Sequence, residues 1–222
     1  MHRHHQLSRR NWLVAGVLAA AVGLTGTLTA SAASPATSAA ARSTGPTATA
    51  TPDDNLTPGP RHRVLDPLVG TWKATKYNYV LSKDGKPVVS HDIKVKVRWI
   101  NKTGDRFLEE RTEGTLAGKP YYRVGIMGYS NIDRRYEWTT FDSVTPTTMT
   151  YRGTPGSCTA SEITIPGEFT DPGILGPEYQ GKTIPMRTVV RIDSADRHTF
   201  DLYFTPPGQK ERLADRVVYT RK

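Results

Sequence analysis

Between Trp72 and Tyr219 the sequence is a succession of strand-length runs broken by turn residues, with no amphipathic helical stretch between them. That pattern excludes most folds at once. A parallel sheet needs crossover helices between its strands, whereas strands joined by short turns pair antiparallel with their neighbours. The runs fall at Trp72–Leu81, Val88–Ile100, Arg106–Thr115, Pro120–Ser130, Arg135–Asp142, Thr148–Gly153, Ser161–Phe169, Ile184–Ile192, His198–Thr205 and Glu211–Tyr219. Asp84-Gly85, Thr103-Gly104-Asp105, Ala117-Gly118-Lys119, Ser194-Ala195-Asp196 and Pro206-Pro207-Gly208 supply the turn chemistry between several of them. About ten strands so connected predict an all-β fold, an antiparallel up-and-down β-barrel of calycin-like shape. A β-sandwich of hairpins is the rival architecture.

Two runs alternate cleanly. In Val88–Ile100 the side chains of His91, Ile93, Val95, Val97 and Trp99 fall on one face, with Asp92, Lys94, Lys96 and Arg98 on the other. In Ile184–Ile192 the residues Ile184, Met186, Val190 and Ile192 oppose Arg187 and Arg191. Asp171–Lys182, dense in glycine and proline, reads as a surface loop.

The first sixty residues are of another kind. Arg3, Arg9 and Arg10 precede an apolar run from Trp12 to Leu28, and Ala30-Ser31-Ala32 offers the small residues a signal peptidase reads. Residues 1–32 are therefore expected to be a signal peptide, with a membrane anchor as the alternative. Ser8-Arg9-Arg10-Asn11-Trp12-Leu13 resembles a twin-arginine export signal. Residues 33–60 are dominated by Ala, Ser, Thr, Pro and Gly, with Leu56 the sole large apolar side chain, a composition expected of a disordered linker. Residues 61–222 are left as one β-barrel domain. The expectation is a protein exported from a bacterial cytoplasm and secreted, with no membrane span once the leader is removed.

The formal charge of +9 falls to +6 when residues 1–32, with three arginines and no acids, are taken away. The surplus is dispersed and has no aromatic-interleaved basic block, so nucleic acid is not an expected partner. Cys158 is the single cysteine, which excludes an intrachain disulfide and a zinc–thiolate cluster.

Several segments carry a family likeness. Leu65-Asp66-Pro67-Leu68-Val69-Gly70-Thr71-Trp72 resembles the opening of bacterial proteins grouped as the domain-of-unknown-function 1579 family. Arg106-Phe107-Leu108-Glu109-Glu110, Gly128-Tyr129-Ser130-Asn131, Trp138-Thr139-Thr140-Phe141-Asp142-Ser143 and Gly167-Glu168-Phe169-Thr170-Asp171-Pro172 follow the same pattern. So do Pro185-Met186-Arg187-Thr188-Val189-Val190-Arg191 and the ending Tyr219-Thr220-Arg221-Lys222. The resemblance spans nearly all of 62–222 and implies a fold rather than a chemistry. The chain departs from it by a lengthened stretch, Gly173–Gly181. Gly70-Thr71-Trp72 is also similar to the start of nitrobindins and fatty-acid-binding proteins, which implies a calycin-like barrel.

Candidate chemistry is sparse. His62, His91 and His198 do not lie at metal-ligand spacing, and no metal site is expected. His91, on the face of Ile93 and Trp99, offers one route to a haem ligand inside a barrel. There is no Gly-x-Ser-x-Gly elbow. Glu110 and Asp142, if both inward, form the pair an envelope hydrolase would use. The leading expectation is non-catalytic: an unknown small, partly apolar molecule held between Trp99, Tyr129 and Trp138, with Tyr121 and Phe200 as further rings. Arg187, Asp142 and His91 would be its polar contacts. Arg187 has an outward, ion-paired alternative. A surface module with no pocket is the third possibility. Trp72 is expected to plug the barrel floor.

Overall fold

The computed structural model describes residues 55–82 and 84–222. The expected leader and most of the expected linker lie outside the described residues. The chain enters through a single helical turn, α1 (Pro60–Arg63), and a 3₁₀ turn, Asp66–Leu68. Ten strands follow: β1 (Gly70–Asn78), β2 (Val88–Trp99), β3 (Phe107–Leu116), β4 (Lys119–Ser130), β5 (Arg135–Asp142), β6 (Met149–Arg152), β7 (Glu162–Thr170), β8 (Thr183–Ser194), β9 (Arg197–Phe204) and β10 (Arg212–Arg221). Each pairs antiparallel with its sequence neighbour, and β1 also pairs with β10, so the sheet closes on itself as a barrel without edges. The sandwich alternative is thereby excluded.

The period-2 pattern places the core. Trp72 and Ala74 of β1, Ile93, Val95 and Val97 of β2, and Phe200, Leu202 and Phe204 of β9 are all buried inside, while Lys73, Lys94 and Lys96 between them face out. One bulge changes the count on β2. Ala74 pairs with Ile93 but Lys76 pairs with Ser90, so Thr75 alone opposes both His91 and Asp92. The extra residue shifts the alternation by one, and the strand beyond it keeps Ser90 inside and turns His91 out.

The floor of the barrel is built by the first and last segments of the barrel sequence. Trp72 is fully buried and its indole Nε1 donates to the Leu68 carbonyl at 2.9 Å. The Arg221 guanidinium lies 4.1 Å over that indole and donates to the carbonyls of Val69 (3.0 Å) and Pro67 (3.1 Å). Gly70, at φ 147°, lies directly beneath this guanidinium; any side chain there would collide with it. The opening and closing motifs are thus spatial partners. Charge, stacking and hydrogen bonding join them at the seam where β1 meets β10.

At the opposite end the lengthened stretch after β7 does not loosen the sheet. Pairing of β7 with β8 runs to Thr170 opposite Thr183. The Asp171 carboxylate, wholly buried, then accepts the amides of Gly173, Ile174 and Leu175. A 3₁₀ turn, Pro177–Tyr179, completes a structured cover with Tyr179 buried and Ile174 and Leu175 packed on the core. The segment read as a surface loop is a cap over the barrel mouth.

Candidate functional site

Inside the barrel, polar and charged side chains occur in phase with the core. On β1 the inward series Trp72, Ala74, Lys76, Asn78 ends in a lysine and an asparagine; on β4, Arg123 stands between Tyr121 and Gly125. Lys76 Nζ contacts Asp215 Oδ2 at 2.8 Å, and Asn78 Nδ2 donates to Asp215 Oδ1 at 2.7 Å. Burial opposes the Lys76 charge, but the adjoining Asp215 carboxylate outweighs it and the pKa is raised. Arg123 is likewise buried, and Glu110 leads the charges that overcome its desolvation and raise its pKa. Its direct hydrogen bond is a single long one, Nη1 to Glu110 Oε1 at 3.5 Å, although its guanidinium also lies over the rings of Trp138 (4.8 Å) and Phe200 (5.3 Å). Thr112 Oγ1 donates to the same Glu110 oxygen at 3.1 Å.

Two small cavities flank this charged belt. The first, about 40 Å³, lies above the floor and is lined by Leu68, Val97, Leu108, Met127, Val190 and Phe200, with Glu110, Trp138, His198 and Tyr219 as its polar members. The indole Nε1 of Trp138 and Nδ1 of His198 are buried there without a hydrogen-bond partner. Gly125 makes the room: a Cβ at that position would collide with the Trp138 indole nitrogen. His198 packs edge-on against Trp72 (4.4 Å) and stacks on Tyr219 (4.1 Å). Burial, assisted by Arg221, pushes its pKa down to about 3, so the imidazole is neutral at ordinary pH. The second cavity, about 50 Å³, lies under the mouth cover and includes Lys76, Asn78, Tyr121, Asp142, Ile174 and Asp215.

The residues expected from sequence distribute unevenly over this interior. Trp138 and Phe200 line the first cavity, and Asp142 lines the second while its Oδ1 accepts the amides of Val144 and Thr145 across the turn after β5. Trp99 sits at the barrel end, where its Nε1 donates to Asp66 Oδ1 at 2.9 Å. Tyr129 packs against His62 and Tyr136 at that same end and lines neither cavity. His91 is exposed, turned out by the β2 bulge, so it offers no ligand to a haem in the interior. Arg187 is on the outer face, bidentate to Glu211 (2.9 and 2.6 Å) and stacked over Tyr203 at 4.2 Å. Glu110 and Asp142 border different cavities and are not brought together. No group of three or more His, Cys, Asp or Glu side chains able to hold a metal occurs among the described residues.

Sequence reasoning passed over His198, Arg123, Lys76 and Asp215. The signal for the two cations was present: each falls in phase with inward apolar residues of its own strand, where a solvated charge would break the pattern. His198 likewise falls in phase with Phe200, Leu202 and Phe204 of β9, whereas Ala214, inserted on β10 between Leu213 and Asp215, breaks the alternation just before Asp215.

The architecture is that of a closed, ten-stranded, calycin-like antiparallel barrel with a charged belt across its interior. The chain belongs to the family described as "Protein of unknown function (DUF1579)", whose pattern matches residues 57–221. Among solved structures it is similar to Rv2717c from M. tuberculosis, with 21% identity, a TM-score of 0.50, and 74% of this chain and 98% of that one covered. It is also similar to the S-type phycobiliprotein lyase CPES from Guillardia theta, at 12% identity and a TM-score of 0.44, covering 73% of this chain and 92% of that one. Among curated proteins it has no match. No helix of the described residues is long and apolar enough to cross a membrane.

Proposed function

We propose that the barrel binds a compact, neutral, partly apolar molecule in the cavity above the floor, without converting it. The observation that carries this reading is the pair of unpartnered nitrogens, Trp138 Nε1 and His198 Nδ1, buried among apolar side chains around one cavity. A buried donor left unpaired costs about 1–3 kcal/mol, which a ligand acceptor would recover. The Glu110 carboxylate in the wall disfavours an anion, and the neutral His198 offers no positive charge to hold one. At about 40 Å³ the cavity has room for roughly three waters, far below the ~300 Å³ of a drug-sized site. The ligand is therefore a molecule of a few heavy atoms, or one that displaces the flexible Met127 side chain.

The test is a series of small alcohols, ketones and amides set against carboxylates of matching length. Melting temperature and the indole N–H resonance of Trp138, assigned through Trp138→Phe, are the readouts. Neutral members are expected to shift both and carboxylates neither. If no neutral member moves the Trp138 resonance, the barrel is a packed module and this reading fails.

We also infer that residues 1–32 are an export leader and residues 33–60 a tether, which would make the barrel an extracellular protein. The basic amino end, the apolar run and Ala30-Ser31-Ala32 support this. Amino-terminal sequencing of the protein released by its producing cell is expected to begin at Ala33; an intact Met1 end on the released protein would overturn it.

A further inference from the structure

We propose that the floor end of the barrel docks on an anionic lipid surface through the β4–β5 turn and the segment that precedes α1. Three of the large apolar side chains that the fold leaves in solvent, Leu56 (60% exposed), Phe107 (41%) and Ile132 (73%), line one shallow groove of about 210 Å³. They come from three separate parts of the chain, so no single local sequence accident explains their convergence. Ile132 is the most exposed of them and stands at the tip of a hairpin, a convex placement suited to insertion among headgroups rather than to a flat protein partner.

The charge around these tips has one sign to spare. Arg135 answers both Asp133 and Glu137, and Asp105 accepts from the neutral amide of Asn101, so the three cations nearby outnumber the charge these acids keep by one. Arg106, in the groove, and Arg134, beside Ile132, are exposed and have no ion pair among the described residues. Lys102, on the adjacent β2–β3 connection, is exposed too. Cations flanking protruding apolar tips complement an anionic headgroup layer, where each contributes attraction that salt weakens.

Arg134 carries a second indication. Its backbone lies at φ 56°, the left-handed region that glycine or asparagine ordinarily fills in a hairpin turn. The strained position holds a long cation where a glycine would fit the backbone better, next to the most exposed hydrophobe of the barrel.

The experiment uses the full chain with Cys158→Ser and a polarity-sensitive dye at Ile132→Cys. The control carries the dye at Val89→Cys, an exposed apolar position at the other end of the barrel. Vesicles of phosphatidylcholine alone and with phosphatidylglycerol are compared. Docking predicts a blue shift at position 132 with the anionic vesicles, weakened by salt, and none at position 89. Arg134→Gly separates docking from folding: it is expected to raise the melting temperature while lowering the fraction bound to anionic vesicles several-fold. Binding with no shift at 132, as the amino-terminal apolar run alone would produce, overturns the proposal. So does equal binding by Arg134→Gly, or equal shifts at positions 132 and 89.

Discussion

Two clusters of charge in this barrel are made of the same chemistry and are satisfied very differently. On the outer wall of β8, β9 and β10, Asp201 is wholly buried yet receives Arg216 twice (2.7 and 2.8 Å) and Arg191 once (2.8 Å). Burial tends to raise its pKa, but the hydrogen bonds from Arg216 and Arg191 prevail and hold it below the usual carboxylate range. Both arginines keep part of their surface in water. On the inner wall, Arg123 has one direct bond of 3.5 Å and Lys76 one carboxylate. The outer cluster is complete and ties three strands together. The Arg123 half of the inner belt is paired less fully than the outer cluster, in a medium where underpairing is costly, whereas the Lys76 half is closely paired.

The largest effects are expected where that difference is broken from the inside. Lys76→Met leaves the half-buried Asp215 with only Asn78, and Arg123→Met leaves Glu110 with only Thr112; each is expected to cost about 3 kcal/mol or somewhat more in urea unfolding. The double variant Arg123→Leu/Glu110→Leu is expected to recover most of its loss, because an apolar replacement removes both desolvation penalties together. Neutral single variants would show that the partners left behind are solvated rather than dependent on the removed cation. Trp72→Ala, which empties the floor beneath the first cavity, is expected to cost a similar 3–5 kcal/mol. Near-normal stability would show that Trp72 does not plug the floor.

His198 gives the comparison a pH axis. Its pKa is about 3 in the fold against 6.5 in the unfolded chain, so between these values the unfolded state binds more protons. Stability then rises with pH, and the loss on acidification begins near pH 6.5 and continues toward pH 3. The drop amounts to a few kcal/mol over that window. His198→Gln is expected to flatten most of it, leaving a residue from His62, whose pKa burial and Arg63 also lower. An unchanged slope would show that His198 is solvated.

Smaller still is Asp201→Asn, about 1–3 kcal/mol, since its arginine partners can turn to water. Arg187→Met on the exposed Glu211 pair is expected to cost under about 1 kcal/mol and to leave the response to neutral ligands unchanged. Loss of that response would return Arg187 to the site and move the site outside the barrel.

How far the site could be read from the chain follows from the same geometry. Trp138 and Asp142 were within reach because β5 has no bulge and its alternation runs unbroken from Tyr136 to Asp142. His91 was misplaced by one inserted residue on β2, which no local pattern announces. Arg187 already opposed Ile184 and Met186 in the sequence, and the structure keeps it on that outer face. Trp99 and Tyr129 have the inward phase of their strands but sit at the barrel end, where phase no longer tells cavity from cap.

Strands, their succession and their turns were legible along the chain, because alternation, glycine placement and turn chemistry act over a few residues. The sequence also brought the first and last motifs into one likeness without showing that they touch. That Arg221 clasps Trp72, that Gly173–Gly181 folds into a cover, and that Lys76, Arg123, Glu110 and Asp215 share the interior follow from the closed barrel alone. Closure is the reason. Bulges reset the phase strand by strand, and the seam of β1 with β10 joins residues from opposite ends of the barrel sequence, a contact that no window along the chain contains.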